Sequence, residues 1–428
     1  MDVDSLYFSS LLKSKKAQFL KGVKPEFFDP EWAPVFKFVR RFNSNFGRLP
    51  RLSTVKDKFK SASFLKAVEP VPYYGRELRT RHAFGLLEEG LRTDYSPMRS
   101  ANNLDGSVDA LKGVILTVER LKQDNDQGII RLNQNTKKRQ KAYDKRKKVK
   151  GLLGIKTPWP SLDSVTQGWQ PGDLVVILAR AGIGKSFLIL LNALSAMRQG
   201  KNTLVSSMEM FPDRLGVRFD GLGAKVSVER FRKGKLLKKE HKRMKQWYAE
   251  LETNKSLGYV DLCGPNEISS PLDLELHIQL GGYKLAIWDS FYLASRKKKW
   301  EEFAQLVADL KKVATRCGVP LIITSQFNKD VKGAHTKADQ VSAAFTDSIM
   351  HDADFVFALF QTPSMKLLKE MLLRSLKVRE GIELAELLLK WDIDNGDFSE
   401  IISSVGVGES SEEASVDNEV ELEYSYAE

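Results

Sequence analysis

The sequence predicts an α/β domain built on a mainly parallel sheet, preceded by a small all-helical region and a linker helix. Three observations predict it. The apolar run Leu174–Ala179 feeds a small-residue loop closing on Gly184-Lys185-Ser186, and residues 187–199 then read as a helix stopping at Gly200. Further short apolar runs at 203–207, 284–288, 319–325, 354–360, 371–378 and 384–390 alternate with helical stretches, as parallel strands with crossover helices do. Residues 1–125 read mostly as helices and hold no phosphate or metal motif.

Taken in order, Leu6, Phe8, Leu11, Leu12, Phe19 and Leu20 recur at helical spacing. So do Val35, Phe36, Val39 and Phe42, before the break at Gly47-Arg48-Leu49-Pro50. A third helix is expected from Val108, Leu111, Ile115, Val118 and Leu121, and this aromatic-rich set reads as core. Residues 126–155 read as a basic linker, with nine Lys or Arg residues between Thr136 and Lys150 and only Tyr143 and Val149 as sizeable apolar groups. It is a solvated linker helix, or one that also touches a neighbouring subunit or nucleic acid. Residues 156–405 form the α/β domain. Within it, Arg232–Lys245 reads as the polar face of a surface helix with Leu236, Leu237, Met244 and Trp247 turned inward. Residues 406–428 are acidic, poor in bulky apolar groups and expected to be disordered. No internal repeat occurs.

Composition narrows the class. A chain of 428 residues with 42% hydrophobic and 29% charged residues reads as a soluble protein of two domains plus connectors. No apolar run approaches the ~20 residues that span a bilayer, and Met1-Asp2-Val3-Asp4 lacks the plan of a signal peptide. Two cysteines, Cys263 and Cys317, supply neither a disulfide framework nor a zinc module, so a reducing cytoplasm fits. The net charge is +12, yet Glu409–Glu428 holds eight acidic and no basic residues, leaving +20 on the rest. A body that basic suggests a polyanionic partner, most simply nucleic acid.

The loop after the first strand carries the chemistry. Ala181, Gly182, Ile183, Gly184, Lys185 and Ser186 have the composition of a phosphate cradle, although Ala179 stands where such loops begin with glycine. Lys185 would reach the β and γ phosphates and Ser186 would hold Mg²⁺, so the expected ligand is a nucleoside triphosphate. Leu285–Asp289 is an apolar strand ending in a carboxylate suited to the Mg²⁺ shell. Leu204–Met210 places Glu209 at a strand end, where it could deprotonate water or be an ordinary loop acid. Gln326, in the run Leu321–Lys329 whose strand is expected at 319–325, can hydrogen-bond a terminal phosphate, and Arg218 is counted with the nucleotide-binding candidates. Lys377 and Arg379, two apart near a strand end, project to one face and could serve as a finger pair supplied by a neighbouring subunit; such a pair is also common surface decoration.

These motifs resemble the DnaB-type replicative helicases. The opening stretch Gly154-Ile155-Lys156-Thr157-Pro158-Trp159-Pro160-Ser161-Leu162-Asp163, then Gly168-Trp169-Gln170-Pro171-Gly172-Asp173-Leu174, is similar to the start of that family's ATPase domain. The phosphate loop, Ser207-Met208-Glu209-Met210, Ser325-Gln326-Phe327-Asn328-Lys329, His351-Asp352-Ala353-Asp354 and Lys377-Val378-Arg379 follow in its order, over about 155–395. Two departures stand out: Lys329 replaces a frequent Arg, and Ser290 follows Asp289 where an apolar residue is usual. The resemblance implies a RecA-like fold binding ATP and Mg²⁺, with Lys185, Ser186, Glu209, Asp289 and Gln326 acting in cis. Lys377 and Arg379 would act on the adjacent subunit's ATP.

It also implies a ring-shaped homo-hexamer that unwinds DNA in the 5′–3′ direction, with single-stranded DNA held by loops after Asp289 and Gln326. In this chain those loops contain Arg296, Lys297, Lys298 and Lys299, and Lys329, Lys332 and Lys337; the first run also fits a merely solvated helix approach. Primase, helicase loader, DNA polymerase or single-strand-binding protein are the implied partners, in the cytoplasm and with no membrane. The compact form and acidic tail resemble a phage-encoded member. The alternatives are a RecA/RadA-like recombinase-type DNA-dependent ATPase, or a primosome scaffold retaining a nucleotide site. A recombinase is expected to lack the helical region and basic linker, and a scaffold to have lost a catalytic group.

Overall fold

The computed structural model describes residues 2–20, 23–122, 136–148, 151–180, 182–265, 267–294, 300–326, 349–379 and 386–401. The candidates Ala181, Arg296, Lys297, Lys298, Lys299, Lys329, Lys332 and Lys337, and the acidic stretch 406–428, lie outside them.

The first third is helical: α1 (Val3–Ser14), α2 (Ala33–Phe46), α3 (Leu52–Lys58), α4 (Val71–Gly90), α5 (Ser96–Ser100) and α6 (Leu104–Lys122). Asp2 caps α1 by accepting from the Ser5 amide at 3.0 Å. Its apolar face packs Phe8 in a stack with Phe28 and Trp32. The buried Asp4 carboxylate is paired with Arg81 of α4 at 2.8 Å, locking α4 onto α1. The stripe expected to bury α6 does so only in part: Leu111 and Val118 are half-buried and Leu121 packs on the helical core. Val108 and Ile115 are each 41% exposed, whereas Val114 and Leu116 are buried. The reason is a close approach: α6 meets α4 at Gly90, where an added Cβ would lie 2.3 Å from Val114. That contact rotates α6 so that Val108 and Ile115 face outward.

The basic helix α7 (Thr136–Lys148) carries Tyr143 at 59% exposure. After α8 (Pro160–Thr166), an eight-stranded sheet forms from β1 (Leu174–Ala179), β2 (Thr203–Ser207), β3 (Val260–Cys263), β4 (Leu285–Asp289), β5 (Leu321–Gln326), β6 (Phe355–Phe360), β7 (Glu370–Val378) and β8 (Glu386–Lys390). The strand order is β3-β2-β4-β5-β1-β6-β7-β8, parallel through β6 and antiparallel for the last two. Between the strands run α9 (Lys185–Arg198), α10 (Pro212–Ala224), α11 (Val228–Arg232), α12 (Lys238–Thr253), α13 (Pro271–Gly281), α14 (Trp300–Cys317) and α15 (Pro363–Leu368). Successive residues of each central strand feed opposite cores. Val175, Ile177, Val205, Ile287 and Ile322 pack under α9, α10 and α12. Leu174, Val176, Leu178, Ala286 and Ile323 pack under α13 and α14. Burial on both faces explains why these strands read as unbroken apolar runs.

Two details differ from the sequence reading. The edge strand β3 has no counterpart among the expected strands, because Val-Asp-Leu-Cys is short and interrupted by an exposed acid, as edge strands often are. On α12, Met244 and Trp247 are buried, but Leu237 is 59% exposed. Leu237 is the N-cap, with extended backbone, so it lies outside the helical register that carries its neighbours inward. Among the described residues, no helix is long and apolar enough to cross a membrane.

Candidate functional site: a phosphate loop at the strand ends

The C-terminal ends of β2, β4, β5 and β1 lie side by side, because those strands are consecutive in the sheet and parallel. This edge gathers the candidate groups. Ala179 remains in β1, fully buried and paired with Gln326 and Leu359, so its methyl fits and no glycine is needed there. The turn comes later. Gly182 and Gly184 adopt φ of 79° and 109°, and Gly184 is the N-cap of α9. Gly184 is required twice over, since Trp391 lies 2.9 Å from where its Cβ would be.

Lys185 heads α9 and is 7% exposed, yet its Nζ has no hydrogen-bond partner among the described residues. Burial holds its ammonium below the ordinary lysine range, although the charges of Asp289 and Glu209 pull the other way. A buried ammonium with open hydrogen-bond donors at a helix N-terminus suits an anion. Asp289 is 1% exposed and accepts from Thr324 Oγ1 at 2.5 Å and from Ser207 Oγ at 3.2 Å. Burial raises its pKa against those hydrogen bonds and the charge of Lys185. One hydroxyl on each oxygen leaves lone pairs on both for a metal ion or its waters.

Gln326 Nε2 donates to Glu209 Oε1 at 3.0 Å, so the expected water-activating acid and the expected phosphate contact touch each other. The Glu209 amide donates to Ser207 Oγ, which sets the acid's position from the same hydroxyl that holds Asp289. Arg218 on α10 stacks over Phe187 of α9 at 5.2 Å; burial lowers its pKa while Asp289 opposes the shift. Ser186 faces Met210, at 3.9 Å from its sulfur. Ser290, the departure noted in the sequence, sits fully buried at φ 62°, its amide donating to Thr324 Oγ1 at 2.8 Å. A small residue suits that left-handed turn better than a bulky one.

Lys377 and Arg379 are not brought to this edge. β7 runs antiparallel to β6, so Val378 pairs with Phe355 at the start of β6, the opposite rim of the sheet from the phosphate loop. Six residues of strand separate the two rims, about 20 Å. There Lys377 Nζ donates to the Met350 carbonyl, and Arg379 Nη1 pairs with the buried Asp354 at 2.8 Å. Both reach the same short segment, residues 350–354. Asp354 also accepts from Lys311 at 2.5 Å and from the Leu174 amide at 2.8 Å.

Three contributors had no role in the sequence reading: Ser207, Thr324 and Trp391. Thr324 stands two residues before Gln326 on β5, a same-face spacing that could have signalled it. Trp391 had no local signal. The segment that opens the domain proves structural: Ile155 and Trp169 exchange backbone hydrogen bonds at 2.9 Å, and Trp169 Nε1 donates to Asn192 of α9 at 2.8 Å. It braces the helix that the phosphate loop caps.

Residues 154–391 match the family model described as the DnaB-like helicase C terminal domain. The replicative DNA helicase DnaB of Buchnera aphidicola is 27% identical over 221 residues, 50% of this chain and 47% of that protein. The DnaB of Haemophilus influenzae is 26% identical over 247 residues, 56% of this chain and 53% of that one. The chain thus spans about half the length of the curated relatives it matches. Among solved structures, a DnaB-like replicative helicase studied for its interactions with primase covers 93% of this chain and 99% of its own, with TM-score 0.56 at 14% identity. A separately solved ATPase domain covers 63% of this chain and 99% of its own, with TM-score 0.53 at 16% identity. These two share the fold. With more than half its length inside that family model, phosphate loop and strand-end acids included, the chain belongs to the DnaB-like helicase C-terminal domain family.

Proposed function

We propose that this chain is an ATP-driven DNA helicase of the replicative type, working as a ring of six copies around single-stranded DNA. The observation that carries the reading is the division of the site between two rims of one sheet. Lys185, Glu209, Asp289 and Gln326 stand together, while Lys377 and Arg379 lie at the opposite rim. A second copy, packed rim to rim, would complete the constellation.

ATP and Mg²⁺ fit the residues present, because the buried Lys185 ammonium has no hydrogen-bond partner among the described residues and Asp289 keeps free lone pairs. Lys185 and the amides of the phosphate loop would hold the phosphates, Ser186 and Asp289 the metal, and Arg218 the surroundings. Bound Mg²⁺-ATP supplies the phosphoanhydride whose cleavage drives movement. Glu209 takes the proton of the attacking water, with Gln326 orienting its carboxylate through the 3.0 Å hydrogen bond. Arg379 and Lys377 of an adjacent copy stabilise the developing charge. Single-stranded DNA would be held by Arg296–Lys299 and by Lys329, Lys332 and Lys337, whose charges suit backbone contact without base reading. Primase, a helicase loader, a DNA polymerase or a single-strand-binding protein are the expected partners, in the cytoplasm.

The test mixes two inactive variants. Lys185→Ala removes the ammonium that holds phosphate, and Arg379→Ala leaves nucleotide binding intact but cuts DNA-stimulated hydrolysis by about 10³-fold. In mixed oligomers some interfaces pair an intact Lys185 with an intact Arg379, so ATPase activity returns. Mixtures as inactive as either parent, with subunit exchange confirmed, would sink the shared site. Electron microscopy with ATP separates this reading from a recombinase: closed six-fold rings support it, open filaments do not.

A further inference from the structure

A groove of about 700 Å³ lies along the phosphate-loop helix, with neither Lys185 nor Asp289 in its lining. Its floor is apolar, made by Leu191 and Leu194 of α9, Leu222 of α10 and Phe398. Four cations line it: Lys156, Arg198, Lys225 and Arg243. All four are exposed, and none forms an ion pair or a side-chain hydrogen bond among the described residues. One acid, Asp397, also lines the groove, but Lys390 engages it at 3.2 Å. An apolar floor ringed by four exposed cations fits an acidic chain with regularly placed apolar side chains.

Such a chain starts at the groove's own wall. Phe398 and Ser399 line it, the described residues end at Ile401, and 27 residues follow. Glu409 comes eight residues after Ile401, a reach of about 26 Å in extended form. From Glu409 to Glu428 there are eight acids and no base. Val420-Glu421-Leu422-Glu423-Tyr424-Ser425-Tyr426 alternates strictly, placing four apolar groups on one side of an extended strand and the polar groups on the other. Tethering so near raises its local concentration to about the millimolar range, which favours the same chain over a free partner.

We propose that Glu409–Glu428 docks in this groove of its own chain, with Val420, Leu422, Tyr424 and Tyr426 on the apolar floor and carboxylates on Lys156, Arg198, Lys225 and Arg243. The docked segment covers the back of α9 without touching the nucleotide residues. It stands whether or not the chain is a helicase, because no catalytic group enters the argument.

The full chain is tested with a glutamate-specific protease, reading cleavage at Glu412 and Glu413, and by hydrogen exchange over 191–199. Arg198→Glu with Arg243→Glu should speed cleavage by about tenfold or more and deprotect the groove; 1 M salt should do the same to the parent chain. Adding Glu419→Lys, Glu421→Lys and Glu423→Lys to that variant should restore slow cleavage, a rescue that misfolding cannot give. The neutral pair Arg198→Gln with Arg243→Gln should show an intermediate rate. Cleavage unaffected by the reversals overturns the proposal. So does protection that disappears on dilution, which would make a second copy the occupant. Reversals that weaken single-stranded DNA binding while leaving cleavage unchanged also overturn it, by assigning the groove to nucleic acid.

Discussion

Glu240→Gln should destabilise the α11–α12 wall by about 2 kcal/mol at neutral pH, and the deficit should vanish in acid. Glu240 is 3% exposed and accepts four hydrogen bonds: from Arg230 Nε at 2.9 Å and Nη2 at 2.7 Å, and from the amides of Ser227 at 3.1 Å and Leu237 at 3.0 Å. The Arg230 hydrogen bonds, joined by those amides, hold its pKa at about 2, against 4.5 for an ordinary glutamate, although burial works against them. That difference corresponds to about 3 kcal/mol of stability at pH 7. The Arg230 side chain is 36% exposed, so solvent screens part of the pair and about 2 kcal/mol is the working figure. Because the folded value is depressed, the stabilisation is fully present above 4.5 and is lost as pH falls toward 2. By about pH 3 the parent chain should keep roughly half its advantage over the variant. Urea unfolding followed by circular dichroism between pH 7 and pH 3 measures this, and hydrogen exchange over α12 locates it. A variant equal to the parent at pH 7 would refute the reasoning, as would a deficit that stays constant down to pH 3.

The site makes three further predictions. Lys185→Ala should weaken ATP binding, whereas Glu209→Gln should keep binding and lose turnover by roughly 10²-fold or more; equal loss of binding in both variants would contradict their roles. Gly184→Ala must place a Cβ at φ 109° against Trp391, so ATP affinity, measured by fluorescence titration, should fall at least about tenfold while circular dichroism stays native; unchanged affinity would remove Trp391 from the loop's support. Replacing Lys297, Lys298 and Lys299 with Ala should flatten the log–log salt dependence of DNA affinity by up to about one unit for each phosphate no longer neutralised, and an unaltered slope would return that run to solvent.

The sequence alone located the candidate residues at the strand ends and the order of the central strands along the chain. Phosphate loops and strands buried on both faces are local patterns: Leu174–Ala179, Leu285–Asp289 and Leu321–Gln326 announce themselves because a parallel sheet demands apolar residues on both sides. The helical character of the first third was equally local, since spacing alone reveals it. Which face of α6 is buried was not, because a contact with Gly90, 24 residues before Val114, sets the rotation. Leu237 turned outward because a cap breaks the helical period that Met244 and Trp247 obey. The edge strand β3 escaped notice because its four residues, interrupted by an exposed acid, carry no apolar run to mark it. Only the tertiary structure placed Trp391 beneath Gly184, joined Gln326 to Glu209, and set Lys377 and Arg379 on the far rim. Each of these follows from which strands are neighbours and which way they run. Strand order arises from the competition of all strands for neighbours, so no local stretch of the chain encodes it.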